Sequence, residues 1–320
     1  MKKTTIQILG ILASLPLVAQ TTYIEFDFQN ENAGIVNPSS TVLGSANPGR
    51  NWTVGTDTSV STAGVGVPGA ANSGAASGVL DATAGTSDGL AIGGGGGTDF
   101  EWRDFIADAG NGQPTNLPGD GTFTALFKPS IDLDGRNRAT FFNFPDGSQQ
   151  SALVLKTLSG SPSMELRNGN SFLANAEIDA AGFSWDTDSW YYMAGSWSIQ
   201  SASVDQAPAT IYLRRAYDTN TETLDPDGAA IGFGSSGLIN YTGVSFVSGE
   251  ENFAIGARAD GGDPARSLVS YASWADQYHA TEQDYDASFA SIVIPEPSSF
   301  GVLIGFASLL VVMGRRFRKL

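Results

Sequence analysis

Cysteine is absent from this 320-residue chain, and histidine occurs once. These two shortages exclude most covalent chemistry. Without a thiol there is no cysteine nucleophile, no thiolate metal site and no disulfide staple. The single imidazole, His279, follows Trp274-Ala275-Asp276-Gln277-Tyr278 and has no partner motif for a Ser/His/Asp arrangement, so it reads as an ordinary loop residue. Cationic side chains are also scarce, 17 Lys and Arg against 33 Asp and Glu. Six of the basic residues sit in the two tails (Lys2, Lys3, Arg315, Arg316, Arg318 and Lys319), but only one acid, Glu296, does. The body between the tails keeps 11 basic and 32 acidic residues, a charge of about −21. Nucleic acid is excluded as a partner, because counterion release needs Lys and Arg. Long 3.6-residue periodicity is missing as well. The one short helix expected is Glu282 to Ile292, where Tyr285, Phe289 and Ile292 share a face.

What is present at the ends reads as sorting information. Lys2 and Lys3 precede an apolar run, Ile6 to Val18, too short for a comfortable membrane span. The small residue Ala19 and polar Gln20-Thr21-Thr22 follow. That order is the pattern of a secretory signal peptide, a signal helix over residues 1–20. A buried N-terminal strand or helix is the blander reading. At the other end, 298–314 carries no charge and shows no polar stripe, which fits a transmembrane helix near the lower limit of about 17 residues better than a core helix. The basic cluster Arg315, Arg316, Arg318 and Lys319 stays cytoplasmic and leaves the body outside. In front stand Pro295, Glu296 and Pro297, whose prolines hold an extended segment that cannot join a helix. Pro-Glu-Pro, apolar span and basic tail, in that order over 294–320, closely resemble the PEP-CTERM sorting signal of Gram-negative bacteria. The resemblance implies an exosortase as partner and a transient inner-membrane anchor. It also implies cleavage near the motif and delivery to the cell surface or an extracellular polysaccharide matrix. A permanent one-span anchor is the alternative.

Residues 21–293 read as all-β. Short apolar or alternating runs stand between Gly, Asn, Asp and Pro: 23–28, 123–127, 139–144, 152–155, 163–166, 190–198, 210–213, 252–255 and 267–274. In Trp190 to Trp197, alternation places Trp190, Tyr192, Ala194 and Ser196 on one face and Tyr191, Met193, Gly195 and Trp197 on the other. Both faces are apolar or aromatic, so this strand is central and covered on both sides, as a two-layer sandwich allows. Residues 55–98 are dominated by Gly, Ala, Ser, Thr and Val and read as long loops around a few short strands. A disordered linker between two domains is the alternative.

The order 123–129 (FTALFKP), 189–197 (SWYYMAGSW), 210–213 (TIYL), 253–256 (FAIG) and 267–274 resembles a laminin G-like, concanavalin-like domain over about Gly121 to Ile292. The resemblance implies a two-sheet antiparallel jelly-roll sandwich with a short helix after its last strand. It also implies, as often in such domains, a Ca2+ at a loop rim. The chain departs from the family where Arg214 is not followed by an Asp-Gly turn, and it lacks the usual disulfide.

Few residues qualify for chemistry. Laminarinase-type hydrolases of this class carry Glu-x-Asp-x-Glu or Glu-x-Asp-x-x-Glu on one strand. Glu25-Phe26-Asp27 and Glu177-Ile178-Asp179 come near but lack the last glutamate, which leaves Glu165 as a donor from elsewhere. Asp132, Asp134 and Asn137 resemble part of a calcium loop without its twelfth-position glutamate, and a plain turn is the favoured reading. Trp190, Trp197 and Trp274 lie inside apolar strands and are expected in the core. Trp52, Trp102 and Trp185 stand beside polar or glycine residues and are the candidates for sugar contact. The leading expectation is an exported, non-enzymatic β-sandwich that binds extracellular polysaccharide or is embedded in it. A glycoside hydrolase of the same fold and a structural surface protein with no specific ligand are the alternatives.

Overall fold

A computed structural model describes residues 22–26, 31–32, 35–36, 40–41, 52–54, 59–61, 79–81, 90–92, 120–134, 138–145, 151–168, 171–179, 183–198, 208–218, 223–224, 230–238, 254–256, 263 and 265–293. The signal segment, the Pro-Glu-Pro motif and the 298–314 span lie outside them. Among the described residues no helix is long and apolar enough to cross a membrane. The elements run in this order: β1 (Thr22–Phe26), β2 (Glu31–Asn32), β3 (Ile35–Val36), β4 (Ser40–Thr41), β5 (Trp52–Val54), β6 (Ser59–Ser61), β7 (Val79–Asp81), β8 (Leu90–Ile92), β9 (Asp120–Pro129) and β10 (Arg138–Pro145). Then come β11 (Ser151–Leu158), β12 (Ser161–Asn168), β13 (Ser171–Glu177), β14 (Ser189–Ser198), β15 (Thr210–Asp218), β16 (Thr223–Leu224), β17 (Ala230–Ser235), β18 (Ala254–Ile255), β19 (Ser267–Ala275) and α1 (Glu282–Val293).

The strands make two antiparallel sheets packed as a sandwich. The first runs β16-β15-β14-β9-β19-β1-β4, with β17 also on β15 and the β6–β7 pair on β19. The second runs β13-β12-β11-β10-β18-β8-β5-β3-β2. Strand β1 pairs with β19 at the far end of the chain, Ile24 opposite Trp274 and Phe26 opposite Ala272. The stretch 55–98 supplies β6 and β7 to the first sheet and β8 to the second.

Alternation along β14 builds the interior. Tyr191, Met193 and Trp197 point between the sheets, with Phe123 and Phe127 of β9 beside them. Phe142 of the second sheet stacks on Phe123 at 4.8 Å, and Phe141 meets Phe127 at 4.1 Å. The adjacent Phe141 and Phe142 both reach the core because the β10–β11 register shifts between Thr140 and Phe142. At Gly195 a Cβ would lie 2.8 Å from the Met164 sulfur of the opposite sheet, so only glycine admits that side chain.

The other face of β14 carries Trp190, Tyr192 and Ala194, and α1 covers it with Tyr285 and Phe289. Thr281 starts the helix with reciprocal capping: the Thr281 amide donates to the Asp284 carboxylate (2.9 Å), and the Asp284 amide donates to Thr281 Oγ1 (3.4 Å). Asp286 then accepts from Tyr212 (2.5 Å) and from Arg214 (2.8 Å), whose guanidinium lies 4.3 Å from the Phe289 ring centre. Phe289→Ala should therefore cost about 3–5 kcal/mol in denaturant unfolding. A loss below about 1 kcal/mol would show that the helix is not seated as described.

His279, in the segment between β19 and α1, is buried against the edge of the Tyr285 ring at 4.9 Å. Its carbonyl accepts from Thr210, and neither ring nitrogen has a hydrogen-bond partner among the described residues. It lies in a loop, as the sequence suggested, and its ring is buried in the core. Burial lowers its pKa from 6.5 to about 4, and the nearby Asp284 carboxylate only partly opposes this. Between those values the unfolded chain takes up a proton that the folded chain refuses. His279 therefore contributes full stability above pH 6.5, and this is lost as pH falls toward 4, with a limiting slope of about 1.4 kcal/mol per pH unit. Unfolding curves at several pH values should show His279→Leu with a flatter dependence over that window; identical slopes would count against it.

Candidate functional site

The second sheet turns one face to the core and a different kind of face outward. Inward point Leu153 and Leu155 of β11, Met164 and Leu166 of β12, and Ala174 and Ala176 of β13. The alternate positions are polar except for Val154, and the register brings them into rows. Thr140, Lys156, Ser163 and Glu177 stand abreast on four successive strands. Asn143, Val154, Glu165 and Asn175 form the next row. A shift between Leu166 and Arg167 then sets Arg167 opposite Phe172.

Glu165 is the charged centre of this face. It is 1% exposed, with Lys156 Nζ at 2.5 Å from one carboxylate oxygen and Arg167 Nε at 3.1 Å from the other. Desolvation lowers the Lys156 pKa and the Glu165 charge counters it. At 1% exposure, with a cation beside each oxygen, Glu165 is closed off from a substrate. Toward the edge strand the face opens. Asn175 and Glu177 are exposed, joined by a long Asn175 Nδ2 to Glu177 contact of 3.4 Å, and Ser163 donates to the Asn175 oxygen at 3.0 Å. Phe172 is 55% exposed, with the Arg167 guanidinium 4.0 Å from its ring centre. Phe172 and Leu238 (69%) are the large apolar side chains left exposed among the described residues.

The residues picked from sequence are distributed differently. Trp185 is only 5% exposed, donates its indole N–H to the Gly160 carbonyl at 2.9 Å and packs on Tyr191 and Phe127. Its ring offers no free face to a sugar, so the surface contact expected there is corrected to a core role. The side chains of Trp52 and Trp102 lie outside the described residues, as does Asn137. Asp132 and Asp134 flank a turn in which the Asp134 amide donates to Asp132 Oδ1 at 2.8 Å. Burial and the Asp132 charge raise the Asp134 pKa. The doublet Asp186 and Asp188 repeats the arrangement at 2.9 Å. Among the described residues no three acidic or histidine side chains group as a metal site, and the third member of the expected calcium set, Asn137, lies outside them. Glu25 accepts from the buried Tyr271 hydroxyl at 2.9 Å in the first sheet, away from Glu165 and Glu177 in the second. Sequence reading missed Lys156, Arg167, Phe172 and Asn175. The available signal was charge at alternate positions, in Leu155-Lys156 and in Met164-Glu165-Leu166-Arg167.

Removing one partner of the buried ion group tests its role. Glu165→Leu strands Lys156 in the interior and should cost about 3–5 kcal/mol, most of it recovered by adding Lys156→Met. Additive losses in that double-mutant cycle would show the charges to be independent.

No family model and no curated protein matches the chain. Among solved structures it is similar to the ligand-binding domain of botulinum neurotoxin serotype D in complex with N-acetylneuraminic acid, with 12% identity, TM-score 0.43 and coverage of 84% of this chain and 50% of that one. It is also similar to the receptor-binding domain of the C/D mosaic serotype, with 11% identity, TM-score 0.45 and coverage of 84% and 51%. A third likeness is to the Ruminococcus gnavus IT-sialidase CBM40 bound to α2,3-sialyllactose, with 12% identity, TM-score 0.36 and coverage of 54% and 83%. The chain spans about half the length of the toxin domains it matches.

Proposed function

We propose that this chain is an exported, non-enzymatic β-sandwich of the laminin G-like, concanavalin-like jelly-roll type, and that it binds glycan along the β13 edge of its second sheet. The observation that carries the reading is Phe172. An aromatic ring 55% exposed, with an amide and a carboxylate further along the same strand, is the chemistry a sugar chain uses, with C–H faces for the ring and hydroxyl donors for the acceptors. Glu165, locked between two cations, supports a binding role over hydrolysis, which needs one carboxyl group free to give and take a proton. Export rests on the sequence at the two ends. The signal peptide would start translocation, and an exosortase would read Pro295-Glu296-Pro297 while 298–314 sits in the inner membrane. The released body would join the cell surface or the polysaccharide matrix.

Glycan-array screening of the mature body, followed by titration of the best ligand, tests this proposal. Phe172→Ala should weaken binding about tenfold or more while leaving the melting temperature within about a degree, because the ring is exposed. Retention of full affinity by that variant, or an array with no hits, would reject the site.

A further inference from the structure

Resting on the glycan-binding reading, we infer that Arg167 makes the Phe172 end of the β13 strip a site for acidic sugars, its guanidinium taking the carboxylate of a uronate-type unit held beside the ring. An irregularity in the sheet puts the two side chains together. Leu166 stands opposite Ala174, but the register then shifts, so that Arg167 faces Phe172. Leu173 is the residue left over, and it packs against the core. Plain alternation from Ala174 would turn Phe172 inward; the extra residue turns it out, onto the face that carries Glu165 and Arg167. The guanidinium carbon ends 4.0 Å from the centre of a ring that is 55% exposed.

Arg167 reaches Glu165 through Nε alone, at 3.1 Å. An arginine has five N–H donors, and that bond leaves the two terminal nitrogens and their donors beside the ring. Charge points the same way. Glu165 carries one negative charge and faces two cations, so the Lys156–Glu165–Arg167 group keeps a net positive charge. The Lys156 and Glu165 side chains are 4% and 1% exposed, whereas that of Arg167 is 17% exposed. Arg167 is therefore the member through which the excess charge meets solvent. A carboxylate fits the terminal nitrogens of a guanidinium with two parallel N–H···O bonds, each about twice as strong as a neutral one. Phe172 offers apolar surface to the C–H groups of the same sugar unit. Glu177 stands five residues along β13 from the ring. At about 3.3 Å per residue that is about 16 Å, twice the Debye length of about 8 Å at physiological ionic strength. The same screening blunts the long-range repulsion from a body of about −21.

The test titrates the mature body, at physiological salt, with uronate oligosaccharides of several backbones (galacturonate, mannuronate, glucuronate), each beside its methyl ester. The ester keeps the sugar backbone and removes the charge. At least one acid should bind about tenfold or more tightly than its ester. Arg167→Gln should bring that acid down to the level of its ester while the ester changes little. Arg167→Lys keeps a cation beside Glu165 and so preserves the fold, but it loses the fork and should give an intermediate gap. Esters that bind as well as their acids, with Phe172→Ala weakening both, would overturn the acidic preference and leave the glycan site standing. An acid gap unchanged in both Arg167 variants would overturn the assignment to that side chain. Absence of binding to every acid and every ester would reject the site and its preference together.

Discussion

The structure depends on one strand being covered twice. Strand β14 has no solvent face. Tyr191, Met193 and Trp197 must meet the second sheet, and Trp190 and Tyr192 must meet something else. In a chain without disulfides that second cover is the only way to withdraw those rings from water, and α1 provides it. The polar devices around the helix follow from the same demand. The Thr281–Asp284 cap begins it at the right residue, and the Asp286 contacts to Tyr212 and Arg214 fix its rotation. Thr210 donates to the His279 carbonyl and accepts from the Tyr285 hydroxyl at 2.8 Å, which ties the entering segment to the sheet.

The second sheet meets a different demand. Its outward rows bury Lys156, Glu165, Thr140 and Asn143, polar groups that burial alone would penalise by several kcal/mol each without partners. Ion pairing offsets that cost for the charged ones. Glu165 draws Lys156 and Arg167 onto itself, and Phe172, Asn175 and Glu177 are left exposed toward the edge strand.

Much of the fold was legible because strong patterns were local. The two-faced run from Trp190 to Trp197 announced a central strand, and the spacing of Tyr285, Phe289 and Ile292 announced the helix that covers it. What escaped notice were β13 and β17. Their inward positions are Ala174 and Ala176 in one and glycines in the other, too small to register as a hydrophobic alternation. Those small residues are imposed by contact, since a Cβ at Gly232 would sit 2.5 Å from Ile178 and one at Gly234 would sit 2.2 Å from the Glu177 carbonyl. The candidate site lay on one of these silent strands, so it was missed along with the strand. Trp185 misled in the opposite direction, because polar neighbours in a segment outside the strands say nothing about where an indole points.

The meeting of β13 with β17 has a consequence for how the molecule behaves among its own copies. Each lies at the margin of a different sheet, where unpaired amides and carbonyls invite a strand from another molecule. The Gly234 backbone pressed against the Glu177 carbonyl closes the sandwich at that corner and denies an incoming chain the place to start its ladder. Further along β13, the exposed Glu177, Asn175 and the Arg167-backed Phe172 put charge and bulk where a flat apolar edge would be adhesive. Copies of this domain at high local density can thereby crowd against one another without polymerising through their sheets.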